Sequence, residues 1–429
     1  EGNYAFDDRY LLKLVVGYSG SEQYARAVRF TTTPAVAAAW VVSNEAFTSS
    51  ATWLSNLKLR ASYGKTANDQ TGIARYAYLD NVTASQGGLI PYLQYIVNEN
   101  QVGNPNIAAE ISTKTNIGID LGLFNALSLS VDVFDVPLSN YPQINGGQFE
   151  NKGFEIVANY RKVFNQDFSA YLGGMVSYTK NKIINWNEAE RTEDYAFRKR
   201  EEGYSCGQEF GYLVDYSNGN GFFNSEAELV ESNLSYGFGI PRVGDLIYKD
   251  LNSDGKIDER DYAPIGNGVI PRTTYALSGG ITYKAFDINF LFQGVGDYAS
   301  LIGGTGIWET EFDGIFGSMH QNAWTAERYA NDQPITWPAL SLAKSVNHEP
   351  SDFVNFDRSY IRLKNLEIGY TLPLALSKVF RSDHTKVLLS GQNLLTWDKM
   401  KTSDFGPEGG GYSGFPVYRV YNLGLSVTF

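Results

Sequence analysis

The strongest constraint on the fold is a two-residue alternation of apolar and polar side chains that returns along the whole chain. In FDINFLFQG, Phe286, Ile288, Phe290 and Phe292 fall on one face, and Asp287, Asn289 and Gln293 on the other. That period is the β-strand's, whose successive side chains point to opposite faces. NLKLRASYG repeats it with Leu57, Leu59, Ala61 and Tyr63 against Lys58, Arg60 and Ser62. TNIGIDLGL sets Ile117, Ile119, Leu121 and Leu123 against Asn116, Gly118, Asp120 and Gly122; LSLSVDV sets Leu127, Leu129, Val131 and Val133 against Ser128, Ser130 and Asp132. About twelve such strands are predicted, near 8–18, 26–42, 55–66, 110–123, 127–138, 149–163, 167–181, 271–284, 285–297, 357–373, 383–397 and 417–429. Many run to about ten residues or more, where a globular strand has about 5 or 6.

A soluble sandwich also alternates, so connection lengths carry the discrimination. Every second connection is tiny: FNA at 124–126, FNQD at 164–167, KAF at 284–286. The intervening ones are long, spanning 67–109, 182–270 and 298–356. Short turns at one end and long loops at the other predict an all-β fold, a transmembrane antiparallel β-barrel of the outer-membrane kind.

Composition narrows the classes further. A length of 429 residues admits several soluble domains or one large barrel. A single cysteine, Cys206, excludes an intrachain disulfide framework and a Cys-built zinc site. A formal charge of -12 opposes a phosphate-tracking surface, so no nucleic-acid partner is expected. The longest apolar candidate, PAVAAAWVV at 34–42, falls far short of the ~20 residues of a spanning helix. A membrane would therefore be crossed by strands, with Trp40, Trp53, Tyr370, Trp397 and Tyr418 near strand ends as interfacial anchors. The opening EGNYAFDDRY has none of the regions of a signal peptide, so the chain is expected to be either cytosolic or the later part of something longer. VYRVYNLGLSVTF, ending on Phe429, resembles the terminal strand signal of outer-membrane barrels.

One motif carries ligand chemistry. In DLNSDGKIDERD, Asp250, Asn252, Asp254, the Lys256 carbonyl, Asp258 and Asp261 occupy positions 1, 3, 5, 7, 9 and 12 of a calcium loop, with Gly255 at position 6 and Ile257 at position 8. Asp261 is one methylene shorter than the usual bidentate Glu. Six oxygen ligands need no flanking helices, and a bound Ca2+ would rigidify a long loop that otherwise loses much entropy on ordering. The other reading of the same residues is a metal-free loop built on Asx turns. No catalytic site is predicted, and the chain is not expected to be an enzyme. His320, His348 and His384 are scattered without carboxylates at ligand spacing and are expected as surface or loop residues. SLAK at 341–344 matches Ser-x-x-Lys without its companion motifs. Loop 298–356 carries Trp308, Phe312, Phe316, Trp324, Tyr329 and Trp337, of which Trp308, Phe312, Trp324 and Trp337 are the substrate or partner candidates. Aromatic faces suit a sugar ring, an apolar peptide face, a lid protein, or packing within the loop itself. The inward set Asp120, Asp132, Asp287 and Glu367 is offset by Lys58 and Arg60, so no single-sign filter is expected.

RYLLKLVVGYSG, AAAWVVSNEAF, LSNLKLRASYGKTAN, NKGFEI, GDLIYKDLNSDGKIDERDYAPIGN, SYIRLKNLEIGYTLP and SGQNLLTW occur in that order along nearly the whole chain. Together they resemble the SusC/RagA-type TonB-dependent outer-membrane transporters. The resemblance implies a 22-stranded barrel with an amino-terminal plug. Residues 1–429 would be its carboxyl-terminal part, closing against strands outside this sequence because bare sheet edges in hydrocarbon cost several kcal/mol per unpaired group. It further implies, as partners, the remaining amino-terminal barrel and plug part, a SusD-like surface lipoprotein, the TonB complex and outer-membrane lipid of a Gram-negative bacterium. The function implied is active import of nutrient oligomers, oligosaccharide or oligopeptide. The other class open to such a chain is a non-transporting barrel with a structural, adhesion or assembly role.

Overall fold

The computed structural model describes residues 1–69, 75–85, 96–141, 147–197, 201–304, 306–308, 316–341, 343–412 and 414–428. Two compact units divide the chain: Glu1–Ala158 with Thr179–Glu188 and Glu202–Tyr204, and Asn159–Tyr178 with Ala189–Glu201 and Ser205–Phe429.

In the first unit, β1 (Gly2–Phe6), β2 (Tyr10–Gly20), β3 (Phe30–Val41), β4 (Leu54–Asn68), β5 (Glu110–Leu123) and β6 (Leu127–Tyr141) lie side by side in chain order, each antiparallel to the one before. β7 (Gly147–Asn165) and β8 (Phe168–Asn185) each contribute residues to both units. β1 lies outside the predicted spans. Its hairpin turns on Asp7 and Asp8, at φ 53° and 50°, the two left-handed positions of a tight primed turn, where Asn-Gly or Asp-Gly is the usual signal.

The registers Leu59↔Ile119 and Ile117↔Val133 keep the apolar sets of neighbouring strands on one face. That face is open: Val16 is 68% exposed, Ile117 61% and Val133 58%. Water does not tolerate a continuous face of large apolar side chains, whereas hydrocarbon does. The other face is polar. Arg60 Nε and Nη2 grip Asp120 at 3.0 Å each, Nη1 and Nη2 grip Asp132 at 2.5 and 2.7 Å, and Ser130 Oγ donates to Asp120 at 2.7 Å. Gly118 lies beneath the guanidinium, where an added Cβ would come within 2.7 Å of Arg60 Cζ; only glycine lets the three strands share this ion network. A smaller core, Tyr24 with Ile107 and Ala109, sits under the connections that leave β2 and enter β5.

In the second unit, β8 pairs with β9 (Thr273–Tyr283), followed in order by β10 (Phe286–Gly296), β11 (Tyr360–Thr371), β12 (His384–Asp398) and β13 (Val420–Thr428), all antiparallel. Phe286, Ile288 and Phe290 face Tyr283, Ile281 and Gly279 on one side and Tyr370, Ile368 and Leu366 on the other, so the predicted alternation of FDINFLFQG becomes a continuous apolar stripe. On the opposite face Lys386 Nζ meets Asp287 at 2.9 Å. Register shifts at Leu291/Phe292 and at Leu363/Asn365 bend β11 against both neighbours. Phe429 lies outside the described residues. Twelve of these strands overlap the predicted ones, and no helix of the described residues is long and apolar enough to cross a membrane.

The main hydrophobic core of the described residues is in the long connections. Tyr212, Phe222, Phe223, Tyr248, Ile307 and Phe356 are each at most 2% exposed, and parts of 205–270, 298–356 and 399–412 pack round them. Of the three long connections predicted, 182–270 and 298–356 contribute described residues to this one core.

Candidate functional site

Aromatic side chains organise the loop body. Trp308 and Trp337 pack with tilted rings, centroids 5.3 Å apart, and are 3% and 4% exposed, so both are interior groups rather than open platforms. Trp324 is half-buried against the same core and donates Nε1–H to Asn224 at 3.1 Å. Phe312 lies outside the described residues. Phe316 and Tyr329, by contrast, are 57% and 47% exposed and offer aromatic surface to a ligand or partner. Two of the histidines expected as surface or loop residues, His320 and His348, are loop residues and are buried. His320 Nδ1 accepts the Gly317 amide at 2.9 Å, which makes Nε2 the donor to the Ile307 carbonyl at 3.0 Å; His348 stacks on Trp308 at 4.8 Å. Loop residues at an aromatic core lose water as core residues do, and scattered spacing in sequence cannot report that.

The 250–261 loop is wound on its own amides. Asp250 Oδ1 accepts from Ser253 N at 2.7 Å and Asp254 N at 3.2 Å, and its Oδ2 accepts from Gly255 N at 2.7 Å. Asn252 Oδ1 accepts from Asp254 N at 3.1 Å, and Asp254 Oδ1 from Lys256 N at 2.9 Å. Gly255 takes φ +80° at the sharp turn its position demands. Lys256–Ile257 forms a short parallel pair with Ser235–Tyr236 and sends Ile257 into the core. Asp261 is fully buried, Oδ1 accepting Leu251 N at 2.8 Å and Oδ2 accepting Asp258 N at 2.9 Å. Burial pushes its carboxyl up, against the pull of those amides.

Arg260 is the residue that sequence spacing misses. Its Nε and Nη2 clamp Asp258 at 2.9 and 2.7 Å, Nη2 also meets Asp254 at 3.0 Å, and Nη1 reaches Asp194 at 3.3 Å. The guanidinium, bonded directly to Asp258, holds that carboxyl well below the usual carboxylate range. Lys256 Nζ adds a second contact to Asp258 at 2.9 Å. Among the described residues no three Asp, Glu, His or Cys side chains converge as a preformed metal centre. Arg260 stands at position 11, which the calcium-loop pattern leaves unassigned, so nothing in the motif marks it.

Two-faced antiparallel strands, short and long connections in alternation and a folded loop body define the class: an outer-membrane β-barrel, in part. The chain belongs to the family described as TonB dependent receptor-like, beta-barrel, which matches residues 1–394. It is 28% identical over 481 aligned residues to TonB-dependent receptor P3 of Formosa agariphila, covering 100% of this chain and 45% of that protein. TonB-dependent receptor SusC of Bacteroides thetaiotaomicron is 24% identical over 460 residues, with 100% and 43% covered. Among solved structures, the RagAB peptide transporter shares the fold at a TM-score of 0.76 and 20% identity, over 100% of this chain and 47% of that one. The RagAB peptide importer in its open-open state gives 0.77 at 20% identity, with 100% and 46% covered. The chain spans about half the length of the curated relatives it matches. TonB-dependent receptor barrels lie in the outer membrane of Gram-negative bacteria, and this chain is an outer-membrane protein of that kind.

Proposed function

We propose that this chain is the carboxyl-terminal barrel part of a TonB-energised importer of nutrient oligomers, oligosaccharide or oligopeptide, working without catalysis. Its remaining amino-terminal barrel and plug close the sheet, a SusD-like surface lipoprotein covers the loop body, and energy arrives from the TonB complex through the plug. The observation that carries the reading is one chain holding both membrane strands with a polar inner face and a loop body with its own core. A body of that size beside a simple pore would serve no purpose that short loops could not. Deleting the gene for the whole protein is expected to abolish growth on one oligomeric nutrient, and dissipating the proton-motive force should stop its uptake. Uptake that survives both treatments would favour the structural or adhesive role instead.

In the same reading residues 250–261 hold Ca2+ through Asp250, Asn252, Asp254, the Lys256 carbonyl, Asp258 and Asp261. Their spacing supports it, as does the turn about Gly255 that the amides bonded to Asp250 and Asp254 close. Arg260 supplies positive charge at the same carboxylates and would have to yield or share Asp254 and Asp258. Asp254→Ala is expected to make 245–265 mobile, raising tryptic cleavage after Lys256 and Arg260, while the strands keep their heat-modified gel mobility. Chelator should do the same to the unaltered protein. Cleavage identical with and without chelator would rule out a structural calcium ion here.

A further inference from the structure

A carboxylate held by buried groups stands apart from the loop features above. Glu408 belongs to the glycine-rich stretch FGPEGGGY, where four of eight residues are glycine and ordering is entropically expensive. Its side chain is bound between two residues of β11: Tyr360 donates its hydroxyl to Oε1 at 2.6 Å, and Arg362 Nη1 pairs with Oε2. Tyr360 and Arg362 are 8% and 4% exposed, and Arg362 is further aligned by Nε donating to Thr396 on β12 at 2.9 Å. One turn of chain earlier, Arg358 grips the backbone on either side of Glu408, donating to the Pro407 carbonyl at 2.7 Å and the Gly409 carbonyl at 2.9 Å. Arg362 faces Gln293 and Thr396 in register, on the polar side of the sheet. Burial alone would raise the Glu408 carboxyl; the Tyr360 hydroxyl and the guanidinium outweigh it and hold it below its ordinary value. A cavity of about 300 Å³ lies between the segment and the strands, with Arg362 and Arg419 as well as Asp398, Asp404 and Glu408 itself in its lining; Phe415, which also lines it, is 89% exposed.

We propose that Tyr360 and Arg362 form a carboxylate-binding site which Glu408 occupies in this structure, so that the 404–412 segment is a latch released when a solute's carboxylate takes its place. A hydroxyl on one carboxylate oxygen and a guanidinium N–H on the other are recognition elements that suit a free carboxylate. A merely structural ion pair would not require delivery on a glycine-rich tether, nor a neighbouring cavity of small-solute size that shares its arginine. The competing carboxylate would be the end or side chain of a peptide, or the uronate of an acidic glycan; only this origin of the solute rests on the import reading.

The test is amide hydrogen exchange of 404–412 in the complete transporter. Glu408→Ala and the isosteric Glu408→Gln should each raise exchange there roughly tenfold, the loss of one charge-assisted interaction, with β11 and β12 unchanged as a check on folding. In the alanine variant sodium acetate should enter the vacated site and shift the Arg362 guanidinium resonance, and sodium chloride at equal ionic strength should not. In the unaltered protein, peptides with a free carboxylate or oligouronates should loosen the segment, while amidated peptides and neutral sugars should leave it alone; whichever acts identifies the source. Equal exchange in all three proteins, or the same guanidinium shift with chloride as with acetate, would overturn the site. Indifference of the unaltered protein to every carboxylate solute would overturn the latch, and would leave the import reading to its own test of energy-dependent uptake.

Discussion

Phe290→Arg is expected to destabilise the folded barrel by about 2–4 kcal/mol, because an arginine at mid-depth on the lipid face has no water to meet. Phe290 stands at the middle of β10, in the stripe it shares with Ile288, Leu366 and Gly279. Its neighbour Asn289 points the other way, accepting the Tyr171 hydroxyl at 3.1 Å across from Glu367. Asn289→Arg gives up that hydrogen bond and gains a carboxylate neighbour, so its effect should stay within about 1 kcal/mol. Urea titration of the complete protein folded into vesicles, read by heat-modified gel mobility, compares the two. Equal sensitivity at 289 and 290 would show that the faces are assigned wrongly.

In Phe356→Ala the damage should fall elsewhere. Phe356 is fully buried in the loop body, between the short strand pair 299–301 with 355–357 and the ring of Phe405 at 6.0 Å. Truncating a buried phenylalanine costs about 3–5 kcal/mol through lost burial and the cavity left behind. Because this core consists of loop residues, the loss should appear as faster exchange across 205–270 and 316–356 while β9 to β12 remain protected. Phe316→Ala, at a side chain 57% exposed, should move stability by no more than about 0.5 kcal/mol. Loss of strand protection in the Phe356 variant would mean that the loop body and the strands fold as one cooperative unit.

These two sites also mark what is legible in the sequence. Phe290 is readable because a strand between hydrocarbon and a polar interior prints its two environments at a period of two, and the same rule places Arg60 opposite Leu59 and Asp132 opposite Val133. Phe356 is not readable in this way. Its neighbours come from three separated stretches with no repeating period, so NFD in sequence gives no hint of a 0% exposed ring. Trp308 and Trp337 illustrate the same limit: aromatic content in a loop is equally consistent with a ligand platform and an interior, and only packing separates them. At the 250–261 loop the turn chemistry of Asp250 and Gly255 follows from spacing, whereas the clamp of Arg260 on Asp258 sits at a position the calcium-loop pattern leaves blank, and its outer contact, Asp194, is far away in the chain. Glu408 and Arg362 are further still from recognition, since an acid among glycines reads as a solvated turn until the strand beneath it is in place. β1 was hidden for a local reason, a hairpin turned on Asp-Asp.

Density for the complete protein tests most directly whether residues 1–429 are the carboxyl-terminal part of a plugged, lidded importer. Purified gently from native membrane and imaged as single particles, it should show β1 and β13 each paired to strands from outside residues 1–429. A folded plug should lie against the polar strand face that carries Arg60, and a separate lipoprotein should be seated on the loop body about Phe316 and Tyr329. An open barrel with nothing against that polar face, and loops that stay ordered and bare, would contradict it.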